Sequence, residues 1–401
     1  MKKNKWLLIL CVFMLAASVV FAGGGAAKKE AAPEKEAEVI KIGALFNLTG
    51  PWASIDGPAF NSVKLAVKDL NDAGGLLGKQ VEVVGIDTKA DEAETVSAAV
   101  RLCEQEKVNA VVGYCDTHWV LASAPIVREY GIPYITAGAT HPRIPERSGA
   151  WMACFSDGAQ ASVIAEYAYK EMGFETVAVW IDNAVDFSVA CCTLFMDAFE
   201  HYGGKVVYVD YYETGWTDFS ALVTRLKSRE REVDFTYNAA IPGNVGLLIK
   251  QMREGGISIP MYSADGADTT LLAEVGGEYA EGVKFTSHMT LESRDPLVLK
   301  YIDGYKKMYG RNPENSFAAL GYDAMMILAE AIKKIGSSEP KKISAGLTLI
   351  RELPGVTGTI TYKAGSQVPD KTISILEVKN GKYILVKQAA PEYMPPKELA
   401  K

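Results

Sequence analysis

The sequence predicts an α/β protein of two lobes, each a mostly parallel sheet flanked by helices. From Ile40 onward, short runs rich in Val and Ile alternate with longer runs whose apolar residues recur at helical spacing. Strands alternating with helices form parallel sheets covered on both faces, because each parallel connection needs a crossover. The alternation occurs in two successive sets of similar size that meet near residue 157, and 401 residues suffice for about two domains.

The segment before this pattern is expected to direct export. Three lysines precede an apolar stretch at 6–20, and small residues favour cleavage after Ala22. Residues 1–22 are therefore predicted to be a signal peptide, with a retained membrane anchor as the alternative. Residues 23–38 consist of Gly, Ala, Lys and Glu with one Pro, a composition that predicts a flexible linker. We expect a soluble, secreted chain in the periplasm or another extracytoplasmic space.

Each element of the first set has a local signal. The helix expected at 60–75 has four apolar residues on one face and ends at a glycine pair. The helix expected at 91–107 begins with acids and ends with a lysine, which matches the helix dipole. A third helix, expected at 123–131, ends at Gly131. Strands are expected at 38–50, 80–87, 108–114 and 132–137.

The second set continues the pattern to the end of the chain. Its helices are expected at 157–173, 187–204, 217–230 and 244–256, and its strands at 176–182, 205–212, 233–240 and 260–264. Two long amphipathic helices follow at 296–310 and 317–336. The last strands are expected at 358–363, 373–381 and 382–388. Asn380-Gly381 between the last two predicts a hairpin turn.

Charge and motifs argue against several classes of function. Cleavage after Ala22 removes three lysines and no acids, which takes the net charge from −7 to about −10. An acidic chain lacks the basic face that nucleic acid requires. No G-x-G-x-x-G follows a strand, no G-x-S-x-G occurs, and the histidines lack metal-ligand spacing. GGLLGKQ at 74–80 lies between helix and strand, so we interpret it as a turn rather than a phosphate-binding loop. We expect no enzyme activity, cofactor or metal site.

Five cysteines remain after the predicted cleavage, so at least one thiol is unpaired within the chain. Export permits disulfides, but small buried cysteines are common core residues. We therefore expect buried thiols rather than a disulfide framework at Cys103, Cys115, Cys154, Cys191 and Cys192.

Six polar or glycine-rich loops follow strands, three in each set. Ligands bind beyond the carboxyl ends of strands in open parallel sheets, so these loops predict a two-sided ligand cleft. The loops are TGPWASIDGP at 49–58, YCDTHW at 114–119, AGATHP at 137–142, DNAVDFS at 182–188, AAIPGN at 239–244 and SADGADTT at 263–270.

Seven segments between Ile40 and Lys387 resemble the type I periplasmic binding proteins, specifically the leucine/isoleucine/valine-binding branch of ABC-transporter receptors. The segments occur in the same order as in that family. They are IGALFNLTGPWA, DLNDAGGLLGK, GIPYITAGATHP, CFSDGAQ, DFSALVTRLK, FAALGYDAMMILAEAIKK and GVTGTITYK. The resemblance implies two discontinuous lobes joined by a hinge with three crossings. Lobe 1 is then 39–158 plus 288–364, lobe 2 is 159–287 plus 365–391, and 392–401 is a tail.

The resemblance implies a binding protein that captures an amino acid or similar small carboxylate between the lobes. Its partner would be an ABC permease in the cytoplasmic membrane. The alternative is an exported sensing module for the same ligands that signals to a membrane receptor. The sequence contains no fused signalling domain, which favours transport.

The resemblance also implies residue roles. The ligand α-carboxylate would meet Thr117 and Thr140, with Ala139 beside the latter. Gly138 and Ala139 would keep bulk away, so that a small anion sits against the backbone. Asp265 would face the ligand ammonium. The apolar walls would be Trp52, Ile55, Phe187 and Ile241.

Three positions depart from the family pattern. Asp116 and His118 stand where small hydroxyl residues are typical, and Ile55 replaces an aromatic residue. An acid beside a carboxylate-binding loop would repel the ligand unless it points away. A ligand with a polar or larger side chain, or another small carboxylate, fits the sequence equally well.

Overall fold

The computed structural model describes residues 39–400, so the expected signal peptide and the expected linker both lie outside the described residues. The strands, in chain order, are β1 Ile40–Phe46, β2 Val81–Asp87, β3 Ala110–Gly113, β4 Tyr134–Thr136, β5 Trp151–Met152, β6 Thr176–Asp182, β7 Lys205–Tyr212, β8 Phe235–Asn238, β9 Met261–Ser263, β10 Lys284–Ser287, β11 Leu353–Gly355, β12 Gly358–Ile360, β13 Ile373–Lys379 and β14 Lys382–Ala389. The α-helices are α1 Ala53–Asp72, α2 Glu92–Glu104, α3 Thr117–Glu129, α4 Ile144–Ser148, α5 Asp157–Glu166, α6 Asp186–Tyr202, α7 Ser220–Lys227, α8 Pro242–Glu254, α9 Thr270–Gly276, α10 Pro296–Tyr309, α11 Ser316–Ile335 and α12 Pro340–Leu347.

Two sheets organise these elements. The first has five parallel strands in the order β2-β1-β3-β4-β5. The second has seven strands in the order β14-β13-β10-β9-β8-β6-β7, in which only the pairs that involve β13 and β14 are antiparallel. The β13–β14 turn is the expected hairpin, with Asn380 and Gly381 both at positive φ. The expected α/β class with helix-flanked, mostly parallel sheets is confirmed.

The buried apolar residues form separate cores around the two sheets. One core contains residues from Ile40 to Cys154 and from Met289 to Tyr362. Two further cores contain residues from Phe155 to Phe285 and from Ile373 onward. We call the part around the first core lobe 1 and the part around the other two lobe 2. The chain passes between them three times, near residues 154–155, 286–289 and 362–373.

Two helices begin earlier than the sequence indicated. α1 begins at Ala53 rather than at residue 60, although Pro58 lies inside it. Proline lacks the N–H that would bond the carbonyl four residues earlier. The side-chain amide of Asn315 donates to that carbonyl, on Ser54, at 2.9 Å and replaces the missing bond. α3 begins at Thr117 rather than at residue 123, because Asp116 caps it by accepting from the His118 N–H.

Other elements were missed or misjudged. No separate sequence signal predicted β10, α9 or α12, which are four, seven and eight residues long. The expected strand at 358–363 is only the three-residue β12, paired with β11 in a separate hairpin. The expected tail packs on lobe 2: the Tyr393 hydroxyl donates to Asp197 at 2.7 Å, and Ala400 is fully buried there.

All five described cysteines are buried and unpaired, as expected of core thiols. None of the helices between residues 39 and 400 has the length and apolar character needed to cross a membrane.

Candidate ligand-binding cleft

A cavity lies between the two lobes, with about 300 Å³ of atom-free space that includes space open to solvent. Both lobes contribute to its wall. The lining residues of lobe 1 are Trp52, Ile55, Cys115, Asp116, Thr117, Gly138, Thr140 and Phe317, and those of lobe 2 are Phe187, Ile241, Pro242, Asp265 and Gly266.

The structure brings together seven of the eight residues that the sequence singled out. They are Trp52, Ile55, Thr117, Thr140, Phe187, Ile241 and Asp265. The exception is Ala139, which is fully buried in the lobe 1 core while its neighbour Gly138 forms the wall. The Ala139 side chain therefore faces away from the cavity.

Helix starts surround the cavity because the strand-end loops lead directly into helices. Trp52 and Ile241 immediately precede α1 and α8, Thr117 is the first residue of α3, and Phe187 is the second residue of α6. The first N–H groups of a helix lack partners within the helix and carry partial positive charge. Two such helix starts from each lobe therefore favour an anionic group in the cavity.

The lobe 1 wall offers uncharged groups. The Thr117 hydroxyl is buried and has no hydrogen-bond partner in the described part of the chain. A buried hydroxyl without a partner is costly, so a bound ligand atom would satisfy it. A side chain at Gly138 would bring its Cβ within 2.6 Å of the Phe317 ring and 3.1 Å of Cys115. Glycine at this position therefore keeps the backbone open to the cavity.

The loop before Thr140 is held by its own threonine. The Thr136 hydroxyl donates to the Tyr114 carbonyl at 2.9 Å and accepts from the Ala139 N–H at 3.0 Å. The Thr140 carbonyl accepts from the Asp157 N–H at 2.8 Å, which joins the loop to the start of α5. The position of Thr140 is therefore fixed by backbone contacts on both sides of the hinge.

The lobe 2 wall carries a fixed acid. The Asp265 side chain is 2% exposed and lies at the end of β9, in a single turn of 3₁₀ helix. Its Oδ1 accepts from Gln160 Nε2 at 2.8 Å, and its Oδ2 lies 3.0 Å from His288 Nε2. A carboxylate has acceptor capacity for about four donors, so Asp265 retains sites for a ligand ammonium.

Apolar side chains form the rest of the wall. Ile55, Phe187 and Ile241 are each at most 7% exposed, and Phe317, which the sequence did not single out, adds to the lobe 1 wall. Trp52 packs edge-on against Trp119, with ring centroids 5.7 Å apart, and contacts the cores of both lobes.

Asp116 is less of an obstacle to an anionic ligand than its sequence position indicated. Its Oδ1 accepts from the His118 N–H at 3.0 Å, and Trp52 also donates to its side chain. Burial raises the pKa of Asp116 to about 6. A second buried acid, Asp56, accepts from the Asn47 and Cys115 N–H groups, both at 2.8 Å, and burial raises its pKa to about 7. Asp56 thus connects two loops of lobe 1, a contact that no sequence pattern predicted.

Comparisons with known proteins identify the family of the chain. The family model described as periplasmic binding protein matches residues 39–382. Leu/Ile/Val-binding protein homolog 3 of Brucella melitensis is 28% identical over 349 residues, which cover 86% of this chain and 93% of that relative.

Two solved structures are similar over most of the chain. The leucine-binding protein LivK of Thermotoga maritima superposes with a TM-score of 0.82 at 31% identity, covering 88% of this chain and 99% of that one. LivJ of Streptococcus pneumoniae, a branched-chain amino acid transporter substrate-binding protein solved in complex with isoleucine, gives 0.81 at 28% identity and covers 88% and 100%.

Proposed function

Since the chain belongs to the periplasmic binding protein family, we propose that it is the extracytoplasmic substrate-binding component of an ABC importer. It captures an α-amino acid in the cleft between its lobes and delivers it to a permease in the cytoplasmic membrane. Similarity to relatives named for binding leucine, isoleucine and valine supports this proposal. Residues 1–22 serve in export, as the sequence predicts.

One observation carries the choice of an amino acid: the cavity wall has two chemically different ends. One end offers the unpartnered hydroxyl of Thr117 at a helix start, and the other offers the acid Asp265. Neutral donors and a helix start suit a carboxylate, whereas a buried acid suits an ammonium. No Lys, Arg or His belongs to the described residues that line the cavity. The ligand must therefore bring a positive charge of its own.

The ligand side chain is apolar. Ile55, Phe187, Ile241 and Phe317 line the cavity together with Trp52. Because Asp116 caps its own helix, the sequence departure at that residue does not require a polar ligand side chain. We therefore favour leucine, isoleucine, valine and amino acids of similar size.

Capture involves a hinge between the lobes. The three chain crossings support a hinge, and the cavity needs both lobes to complete its wall. Ligand bound between the two walls would favour the closed arrangement by contacting both.

A thermal-shift screen of the mature protein against the common amino acids and their deaminated analogues tests the proposal. A ligand that binds only the folded state at 100 times its Kd adds about 2.7 kcal/mol to the unfolding free energy. We expect small apolar amino acids to raise the melting temperature and their deaminated analogues to raise it far less. Equal shifts for both classes, or no shift with any amino acid, would refute the proposal.

A further inference from the structure

The segment CFSDGAQ resembles the family but has no role in the cavity wall, and its last residue, Gln160, has an unusual environment. The Gln160 side chain is fully buried and uses all four of its hydrogen-bonding positions. Its Nε2 donates to Asp157 Oδ1 at 3.0 Å and to Asp265 Oδ1 at 2.8 Å. Its Oε1 accepts from the Asp265 N–H at 3.0 Å and from the Thr286 hydroxyl at 2.5 Å. Gln160 thus holds both the backbone and the side chain of Asp265.

His288 holds the other oxygen of Asp265. Its side chain is fully buried, with Nε2 3.0 Å from Asp265 Oδ2 and the ring stacked on Phe155 at a centroid distance of 3.8 Å. Because the carboxylate oxygen accepts, Nε2 carries the proton. Nδ1 has no hydrogen-bond partner in the described part of the chain. A protonated ring would place an N–H there without an acceptor, so this environment favours the neutral imidazole.

Gln160 and His288 both lie at chain crossings. Gln160 is in the first turn and a half of α5, just after the first crossing, and His288 is in the second crossing. The His288 backbone N–H also points to the Ser316 hydroxyl at the start of α11, at 3.4 Å. Asp265 is therefore supported by two segments that connect the lobes, neither of which contacts the cavity.

We propose that Gln160 and His288 are positioning residues that hold Asp265 in the orientation required to accept the ligand ammonium. This inference rests on the proposed function. Gln160 donates through a neutral amide, and the neutral ring of His288 donates without cancelling the negative charge of Asp265. Burial lowers the pKa of His288, which supports the neutral ring. Neither donor therefore brings a positive charge that competes with the ligand ammonium, and together they fix the two rotatable bonds of Asp265.

Substitutions at His288 test this role. His288→Phe keeps a ring on Phe155 but removes the donor, whereas His288→Gln keeps an amide N–H at a reach similar to Nε2. Gln160→Met keeps the length of the side chain and removes its amide. The readout is the ratio of two Kd values, one for L-leucine and one for 4-methylpentanoate, which lacks only the amino group. Both values come from competition titrations.

We expect His288→Phe and Gln160→Met to weaken L-leucine binding at least tenfold and 4-methylpentanoate binding less than twofold. His288→Gln should retain the selectivity of the parent. A merely structural role would lower the melting temperature and weaken both probes alike. If His288→Phe does not fold, His288→Asn serves in its place. The Asn side chain is too short for its amide to reach Asp265, so we expect this variant to lose selectivity for L-leucine.

Two outcomes overturn the inference in different ways. If the parent binds L-leucine and every folded variant keeps its selectivity, Gln160 and His288 do not position the ammonium site, and the proposed function stands. If the parent binds no amino acid in the panel, the proposed function fails, and the inference fails with it.

Discussion

Under the proposed function, the two walls of the cleft would recognise their ligand by different physical means. Lobe 1 presents the Thr117 hydroxyl at the start of α3, the Thr140 hydroxyl and no cationic side chain, and its lining acid, Asp116, already accepts from the His118 N–H and from Trp52. Lobe 2 presents a buried acid, Asp265, whose oxygens are held by Gln160 and His288. A neutral wall needs little support because its donors belong to the backbone and to short side chains. A buried charge needs a built network, since an unsupported one is costly.

This difference shows how a zwitterion can be bound without a matching pair of charged side chains. The carboxylate end uses oriented dipoles, which lose little solvation free energy when the cleft closes. The ammonium end uses one full charge. The two walls should therefore respond differently to substitution, and three predictions test that difference, from the largest expected effect to the smallest.

Removing the charge of lobe 2 should have the largest effect. Asp265→Asn leaves the ligand ammonium buried without its counter-ion. It also turns an amide N–H toward Gln160 or His288, although both of these side chains donate to the residue at position 265. We expect L-leucine affinity to fall by about 3–5 kcal/mol, the usual size for breaking one side of a buried pair. Isothermal titration calorimetry measures this loss.

Asp186→Asn is the matched control, because Asp186 lies beside Phe187 but is partly exposed, 4.0 Å from Arg147. We expect the Kd of Asp186→Asn for L-leucine to differ from that of the parent by no more than twofold. Unchanged L-leucine affinity in Asp265→Asn would show that lobe 2 does not supply the charge.

Removing a hydroxyl from lobe 1 should have a smaller effect. Thr117→Val keeps the shape of the side chain and removes a donor that has no partner within the described chain. A hydrogen bond to a charged group contributes about 1.5–3 kcal/mol, so affinity should fall roughly tenfold or more with little loss of stability. Thr193→Val, where the hydroxyl donates to the Val189 carbonyl of its own helix, is the control. A lower melting temperature with unchanged affinity would make Thr117 structural.

The smallest effect concerns stability and pH. Burial raises the pKa of Asp116 to about 6 from an ordinary 3.8, so the folded state favours the protonated acid. The stability from this group is present below about pH 4 and is lost as pH rises through 6. Asp116→Asn keeps a good capping residue and removes that loss.

We therefore expect the unfolding free energy of Asp116→Asn, relative to the parent, to rise between pH 4 and 8 by on the order of 1–2 kcal/mol. Chemical denaturation across this range measures it. Asp91→Asn, at the cap of α2, controls for replacing a capping aspartate. A difference that does not change with pH would contradict this account of Asp116.

The same contrast explains what the sequence could predict. The lobe 1 groups and most of the apolar wall lie in short motifs at strand ends, so their grouping followed from the α/β pattern and the family resemblance. The supports of Asp265 are distant in sequence, with Gln160 separated from it by 105 residues and His288 by 23. No local spacing reveals such contacts. Gly138 rather than Ala139 forms the cavity wall, because the sequence shows small residues there but not which one faces the cavity.

Proline and glycine misled the interpretation of helix starts. Pro58 and Gly57 indicated a loop at 49–58, but the chain is helical from Ala53. The compensating donor is Asn315, which is far away in sequence and caps α11 with its own Oδ1. A local rule therefore failed where a tertiary hydrogen bond replaced the missing one.

The orientation of a bound amino acid tests the central claim most directly. A crystal structure of the mature protein with L-leucine should place the ligand carboxylate within hydrogen-bond distance of Thr117 and Thr140, and its ammonium within hydrogen-bond distance of Asp265. The two Asp265 contacts to Gln160 and His288 should persist. A ligand bound in the reverse orientation, or with its ammonium away from Asp265, would contradict the division between a neutral wall and a charged one.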